Sequence, residues 1–449
     1  MTVGLMRALG RRALAASAAI AVSWPAAVVS ADPVPKNFAA SNVEAVGYSE
    51  IDGRPGFKMS IREVGGRWYL YMGHLWDRGW TIMDVTTPAT PKVVKFVPGP
   101  DNTWTIQMEV HGSTMVTALQ QGGAGWGTDP DKPFDEGFLI WDISDPVNPK
   151  RLGQWKTGGR GTHRNGYFGG RYVHTAAAMP GYEGQIYVIV DIQDPANPVE
   201  AGRWWVPGQH VAGGEKPPEA GISIHGPPMV DGNTAYLDYG AAGMRIVDIS
   251  DIKQPKLIGA LDFTPPFNSS IGVHSIMPMK GRNLVWVNGE AIGEGCNEPL
   301  PQASLIDISN PGSPRLMSTM PIPVPPPGAP YKNFCDKGGR FGPHNINQHQ
   351  HHPDVEKQGN LMYATYFNAG LRVFDISDAR LPKEVGYFVP PDPVKRYGPV
   401  PKEKLVVQTE DVLVDRRGYI YITNKNQGLW ILRYTGRKPA TANSAAAGQ

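Results

Sequence analysis

One phrase recurs along the chain and constrains what it can fold into: a short apolar strand, usually opened by glycine, then an acidic turn and proline. It reads GWTIMDVTTPATPK, GFLIWDISDPVNPK, IYVIVDIQDPANPV, GMRIVDISDIKQPK, ASLIDISNPGSPR and GLRVFDISDARLPK, with a degenerate seventh copy, GLWILRYTGRKP. The landmark aspartates are Asp84, Asp142, Asp191, Asp248, Asp307 and Asp375, spaced by 58, 49, 57, 59 and 68 residues. Self-similarity at that period marks a repeat architecture, one unit carrying loop insertions of different length.

Each unit reads as four short strands. In the fourth they are SIHGPPMV, TAYLDY, MRIVDI and KLIGALD, parted by Asp-Gly, Gly-rich and Asp/Pro turns. Four antiparallel strands taken seven times give an all-β fold, a seven-bladed β-propeller. The 53 glycines and 43 prolines suit so many turns. The termini predict ring closure. The seventh unit stops after its third strand, GLWILRY, and VEAVGYSEI near the N-terminus matches the sixth unit's fourth strand, KEVGYFVPP. Residues 43–51 are therefore expected to complete the last blade.

The phrases LIWDIS, RIVDIS and RVFDIS resemble the LVIVD-repeat family, a group of bacterial propellers. The resemblance spans nearly all of the chain after its leader. It implies the fold and says little about function.

Export is expected from the N-terminus. Arg7, Arg11 and Arg12 precede ALAASAAIAVSWPAAVVSA, a short apolar and small-residue run with a cut after Ala31. The reading is thus a signal peptide over 1–31, a propeller over 32–438 and a flexible tail over 439–449, in the periplasm or secreted by the Sec or twin-arginine route. No later stretch is apolar enough to span a bilayer, so no integral membrane segment is expected after processing. A net charge of +2 without a basic stripe argues against nucleic acid as a partner. Cys296 and Cys335 fall in loops of adjacent units and are expected to form a disulfide, with a free thiol pair or copper ligation as alternatives.

The chain has eleven histidines, and their spacing is not random. His163, His225 and His352 each lie nine residues before the second strand of units three, four and six, and His274 lies ten before that of unit five. Glu410 stands nine before the second strand of unit seven, while units one and two offer Met59 and the stretch Thr105–Gln107. The innermost strands of a propeller line its channel, so these side chains can converge at one channel mouth. Four imidazoles suit one transition metal ion, iron or copper first and zinc also possible, rather than calcium or magnesium. Glu410 is placed at the catalytic centre, as a fifth ligand or as acceptor of a ligating histidine's second N–H. His344 is the alternate to His352 if the sixth inner strand starts earlier. A structural relic of duplication would produce the same recurrence without a metal.

The remaining histidines are given other places. His349 and His351 are expected in a surface loop, with a place as partners of the ligating histidines as the alternative, His111 and His174 within blades, and His74 and His210 near the substrate rim. Trp126, Tyr182, Phe267, Tyr331, Phe334 and Tyr366 are expected to wall an apolar pocket over the site. The arrangement is similar to that of the carotenoid-cleavage oxygenases and of the selenium-binding-protein and methanethiol oxidase group. That similarity implies a metal-dependent oxidoreductase acting on a small, partly apolar molecule. The alternatives are a metal-assisted lyase or hydrolase on the same ligands, and a non-catalytic secreted propeller that binds a protein or polymer. Oligomeric state is not legible.

Overall fold

A computed structural model describes residues 1–2, 32–123, 125–217, 221–263 and 269–439. The expectations for the leader, for Phe267 and for the tail beyond residue 439 lie outside them. The described residues form seven antiparallel four-stranded sheets, the blades of a β-propeller. The inner strands of the first five blades are Met59–Val64, Met108–His111, Gly161–Tyr167, Met229–Asp231 and Ile271–Met279, and that of the seventh is Thr409–Val414. The fourth inner strand is short because Pro227 and Pro228 carry no backbone N–H to donate. No helix among the described residues is long and apolar enough to cross a membrane.

The ring closes through the N-terminal strand. Val43–Ser49 pairs antiparallel with Gln427–Tyr434, from Val43 opposite Tyr434 to Ser49 opposite Leu429, and supplies the seventh blade's outer strand. The sixth blade departs from the expected four-strand unit. Its sheet is Leu361–Thr365, Leu371–Asp375 and Lys383–Val389, extended outward by Ala39–Ser41. Its inner position is held by an irregular segment joined to Leu361–Thr365 by an isolated bridge, Ile346 to Ala364, and by backbone hydrogen bonds from His344 to Thr365, Thr365 to Asn345 and Asn347 to Tyr363.

Strand alternation gives each blade two apolar faces, and the core lies between neighbouring blades. Met59, Ile61, Leu70 and Met83 of the first blade thus pack with Leu413, Tyr421 and Ile431 of the seventh. The repeated aspartate fixes the turn after each third strand. In all six copies its Oδ1 accepts the N–H two residues on, as from Ser144 to Asp142 and from Ser250 to Asp248, both at 2.8 Å.

A glycine in the outer strand receives the turn of the next blade. A Cβ on Gly153 would lie 1.8 Å from the carbonyl oxygen of Pro195, and one on Gly202 would lie 1.8 Å from that of Ile252. The obstacle in each case is backbone, which cannot swing aside. Gly153→Ala or Gly202→Ala should therefore cost about 1–3 kcal/mol in chemical denaturation, the range for overpacking a fitted contact. A change within about 0.5 kcal/mol, ordinary for surface sites, would contradict this contact.

Candidate metal centre

Four histidines reach one end of the channel from four consecutive blades. His163 sits near the start of the third inner strand and His274 within the fifth. His225 precedes the fourth inner strand, and its N–H continues the ladder to the carbonyl of Asp238 at 3.0 Å. His344 opens the irregular sixth segment, its N–H donating to the carbonyl of Thr365 at 2.9 Å. The ring centroids follow one another at 4.5, 4.9 and 4.6 Å, from His163 through His225 and His274 to His344.

The corresponding places in blades one and two are taken by Phe57 and Ile106, so that side of the mouth is apolar. Glu410 arrives from the seventh blade, fully buried and ion-paired to Lys425. Its main-chain carbonyl, rather than its carboxylate, is the close acceptor for His344 Nδ1 at 2.8 Å, while its Oε2 lies 3.4 Å away.

A fifth group, Glu290, carries the centre of the arrangement. It ends the second strand of blade five, Leu284–Glu290. Its Oε2 lies 3.3 Å from His274 Nε2 and 3.5 Å from His225 Nε2, and its Oε1 lies 3.4 Å from His344 Nε2. Arg340, buried beside it, grips Oε1 and the carbonyl of Ala291. His225, His274 and Glu290 bring one ligand atom each within 4.8 Å of one another and could hold a metal ion.

The tautomers follow from the hydrogen bonds. His344 Nδ1 faces a carbonyl, which can only accept, so this nitrogen carries the proton. Ser275 Oγ donates to the carbonyl of His344 and therefore accepts from His274 Nδ1 at 2.8 Å. Gln120 Oε1 accepts from His163 Nδ1 at 2.6 Å. In these three neutral rings the lone pair is left on Nε2. Burial keeps the rings neutral: His225 is pushed down to about 4, and His163, His274 and His344 well below the ordinary histidine range. The Nε2 lone pairs of His274 and His344 thus face the Glu290 carboxylate, whose Oε2 accepts no hydrogen bond.

His352 is not part of this centre. The chain from Asn345 runs down the channel rather than along a hairpin, and Pro353 and an irregular stretch separate it from Leu361. His352 consequently lies at the far end, its ring 6.0 Å from that of His111, with Nδ1 accepting from the N–H of Asp354 at 3.1 Å. His344 takes the sixth-blade place. The surface placement of His349 and His351 is also overturned. His349 is buried with Nδ1 2.9 Å from Glu109 Oε2, and both ring nitrogens of His351 are buried without a hydrogen bond. Gln348 accepts from Lys58 of blade one at 3.3 Å, and Asn347 Oδ1 accepts from Val414 of blade seven at 3.0 Å. The histidine-rich stretch is thus a plug contacting inner strands of several blades.

The other histidines are structural or peripheral. His74 is satisfied by Pro55 and Thr81, and His174 by Tyr187. His210 stacks on Tyr182, centroids 4.6 Å apart, at the edge of the cavity.

Above the centre opens a cavity of about 730 Å³, within the range of small-molecule sites. Trp104, Trp126, Leu75 and Tyr182 join Phe57 and Ile106 in its wall. Of the aromatics expected there, Tyr331, Phe334 and Tyr366 instead belong to a core cluster around Trp286. Cys296 and Cys335 form a disulfide, Cα–Cα 5.4 Å. Beside it, Gly295 N–H donates to the carbonyl of Gly339 at 2.8 Å, fixing the loop that presents Arg340.

Glu290 escapes a reading confined to first strands, since it ends a second strand. The available signal is an acidic residue at the end of LVWVNGE, shared with TAYLD of unit four and absent from the same strands of units three and six.

The Lys425–Glu410 pair is fully buried. Burial raises Glu410 and lowers Lys425 to about 8, and each opposes the other's shift. Lys425→Met should cost about 3–5 kcal/mol in denaturant titration by stranding the carboxylate, and adding Glu410→Gln should recover much of it. A single-variant loss under about 1 kcal/mol, as for an exposed pair, would contradict this.

The LVIVD repeat family matches residues 133–157, 184–205, 229–262, 304–320 and 352–389. No curated protein matches the chain by sequence. Among solved structures, the β-propeller domain of Cps50 (Swd1) from Myceliophteria thermophila is similar at 13% identity and a TM-score of 0.48. That match covers 85% of this chain and 98% of the other. The computationally designed Ika8 protein is similar at 7% identity and 0.46, covering 86% and 98%.

Proposed function

Starting from an LVIVD-repeat β-propeller, we propose that the chain is an exported, metal-dependent oxidoreductase acting on a small, partly apolar substrate. One first-row transition ion would be held by His163, His225, His274, His344 and Glu290. The observation that carries this reading is that Nε2 of His225 and of His274 converges on Glu290 Oε2, a buried carboxylate oxygen that accepts no hydrogen bond, while Nε2 of His344 faces Oε1. Acceptors facing acceptors in a desolvated space repel unless a cation lies among them.

An imidazole-rich set with one carboxylate suits iron or copper, and zinc after them. Bound there, such an ion supplies Lewis-acid polarisation or, for iron and copper, a one-electron couple. The chain's own residues do the rest. Arg340 fixes Glu290, and the acceptors on Nδ1 of His163, His274 and His344 set ring orientation. Phe57, Ile106 and Trp104 wall the mouth with apolar surface that excludes water from a bound substrate. Oxidation chemistry is favoured over hydrolysis by analogy with the multi-histidine propeller oxygenases. Export is supported by the basic and apolar leader and agrees with the disulfide.

The test is metal content per chain, by elemental mass spectrometry on natively exported, untagged protein, beside a His225→Ala/His274→Ala variant. The expected result is about one equivalent of iron or copper, lost in the folded variant. Zinc in that amount would redirect the reaction class to hydrolysis or elimination. Absence of metal even after reconstitution would overturn the reading and leave a secreted binding propeller.

A further inference from the structure

A buried arginine in the cavity wall has no carboxylate in contact among the described residues, although Glu290, Asp411 and Glu410 act on it from further off. Arg164, beside His163 in the third inner strand, is 1% exposed, and no carboxylate among the described residues lies within 4.0 Å of it. Its Nη1 donates to Asn345 Oδ1 at 3.2 Å. Its Nε makes no hydrogen bond, and its Nη2 meets only His274 Nε2, at the long distance of 3.5 Å. The Nε–Nη2 edge is the fork with which arginine grips a carboxylate side-on.

The bond to His274 and a metal ion exclude one another. An ion on His274 takes the lone pair that Nη2 faces, so the whole fork is then left without an acceptor beside a second cation. Asp238, buried nearby, makes no hydrogen bond to Arg164 through its carboxylate.

The cavity as a whole points the same way. It is lined by Arg160, Arg164, Arg340 and Lys425 against Glu183, Glu290 and Glu410. Arg340 and Lys425 are paired with Glu290 and Glu410, and the mouth residue Arg160 donates to Gln121 and has no carboxylate partner among the described residues. A divalent ion would leave this enclosed space about three positive charges in excess, which an anionic ligand relieves.

We infer that the cavity takes a carboxylate-bearing molecule with an apolar or aromatic body. The carboxylate lies on the Arg164 fork beside the metal, and the body lies against Phe57, Ile106, Trp104 and Trp126. The inference rests on the metal-centre reading for the position of the anion. Its charge preference is testable apart from it, because the unpaired arginines are present with or without an ion.

The test is calorimetric binding of three matched pairs: 3-phenylpropionate and 3-phenylpropanol, cinnamate and cinnamyl alcohol, octanoate and octanol. Each is titrated into metal-loaded and metal-free protein. At least one carboxylate should bind about tenfold or more tighter than its alcohol, the scale of one charge-assisted pair. In Arg164→Gln that preference should fall to within about threefold. Arg164→Lys keeps the charge without the fork and should retain part of the preference, which serves if the glutamine variant does not fold. No carboxylate preference in any pair overturns the inference, as does full preference in a folded Arg164→Gln. Carboxylate preference in a protein that takes no metal would sink the metal centre and leave this inference standing; one bound ion with no preference would do the reverse.

Discussion

Glu290 sits where imidazole lone pairs converge, and the site's organisation follows from that juxtaposition. A carboxylate taken out of water needs donors or a cation, and here only one of its oxygens has a donor, the guanidinium of Arg340. His274, whose Nδ1–H is committed to Ser275, cannot supply a proton to the other, and burial holds all four histidines neutral. A set of groups so placed is stabilised by an ion and poorly stabilised without one. This is the pattern of a binding site rather than of a core.

The propeller makes that arrangement possible because it delivers one inner-strand position per blade to a common axis. Four consecutive blades give histidine, the next gives Glu410, and the remaining two give Phe57 and Ile106. The ring therefore has a coordinating side and an apolar side. Closure by Val43–Ser49 fixes the circumference, and glycine contacts such as Gly153 against Pro195 set the distance between neighbouring blades. The segment from Asn345 through His352 fills the channel below, and the centre opens to the cavity above. The disulfide and the Gly295–Gly339 bond steady the loop bearing Arg340, which couples the rim to the centre.

The fold was legible because repetition multiplies a weak local signal. No single DIS turn proves a blade, but six aspartates that each accept the N–H two residues on impose the same strand exit six times. The inner-strand histidines of blades three to five were legible for the same reason. The sixth was not, because counting assumes a hairpin, and prolines with a polar plug replace it there. His352 has the right spacing in sequence and the wrong end of the channel in space. Glu290 was hidden more deeply. Its role depends on Arg340 reaching over from the segment before blade six, a contact across 50 residues that no periodicity encodes. The burial of His349 and His351 was hidden for a similar reason, since polar composition alone reads as surface.

X-ray absorption at the metal edge of the loaded protein tests the central claim most directly, because it reports what touches the ion. The account predicts a first shell at about 2.0–2.2 Å dominated by imidazole nitrogen, with the multiple scattering of several histidine rings and one carboxylate oxygen. A shell of oxygen alone, or one with a single imidazole, would place the ion elsewhere and contradict the account.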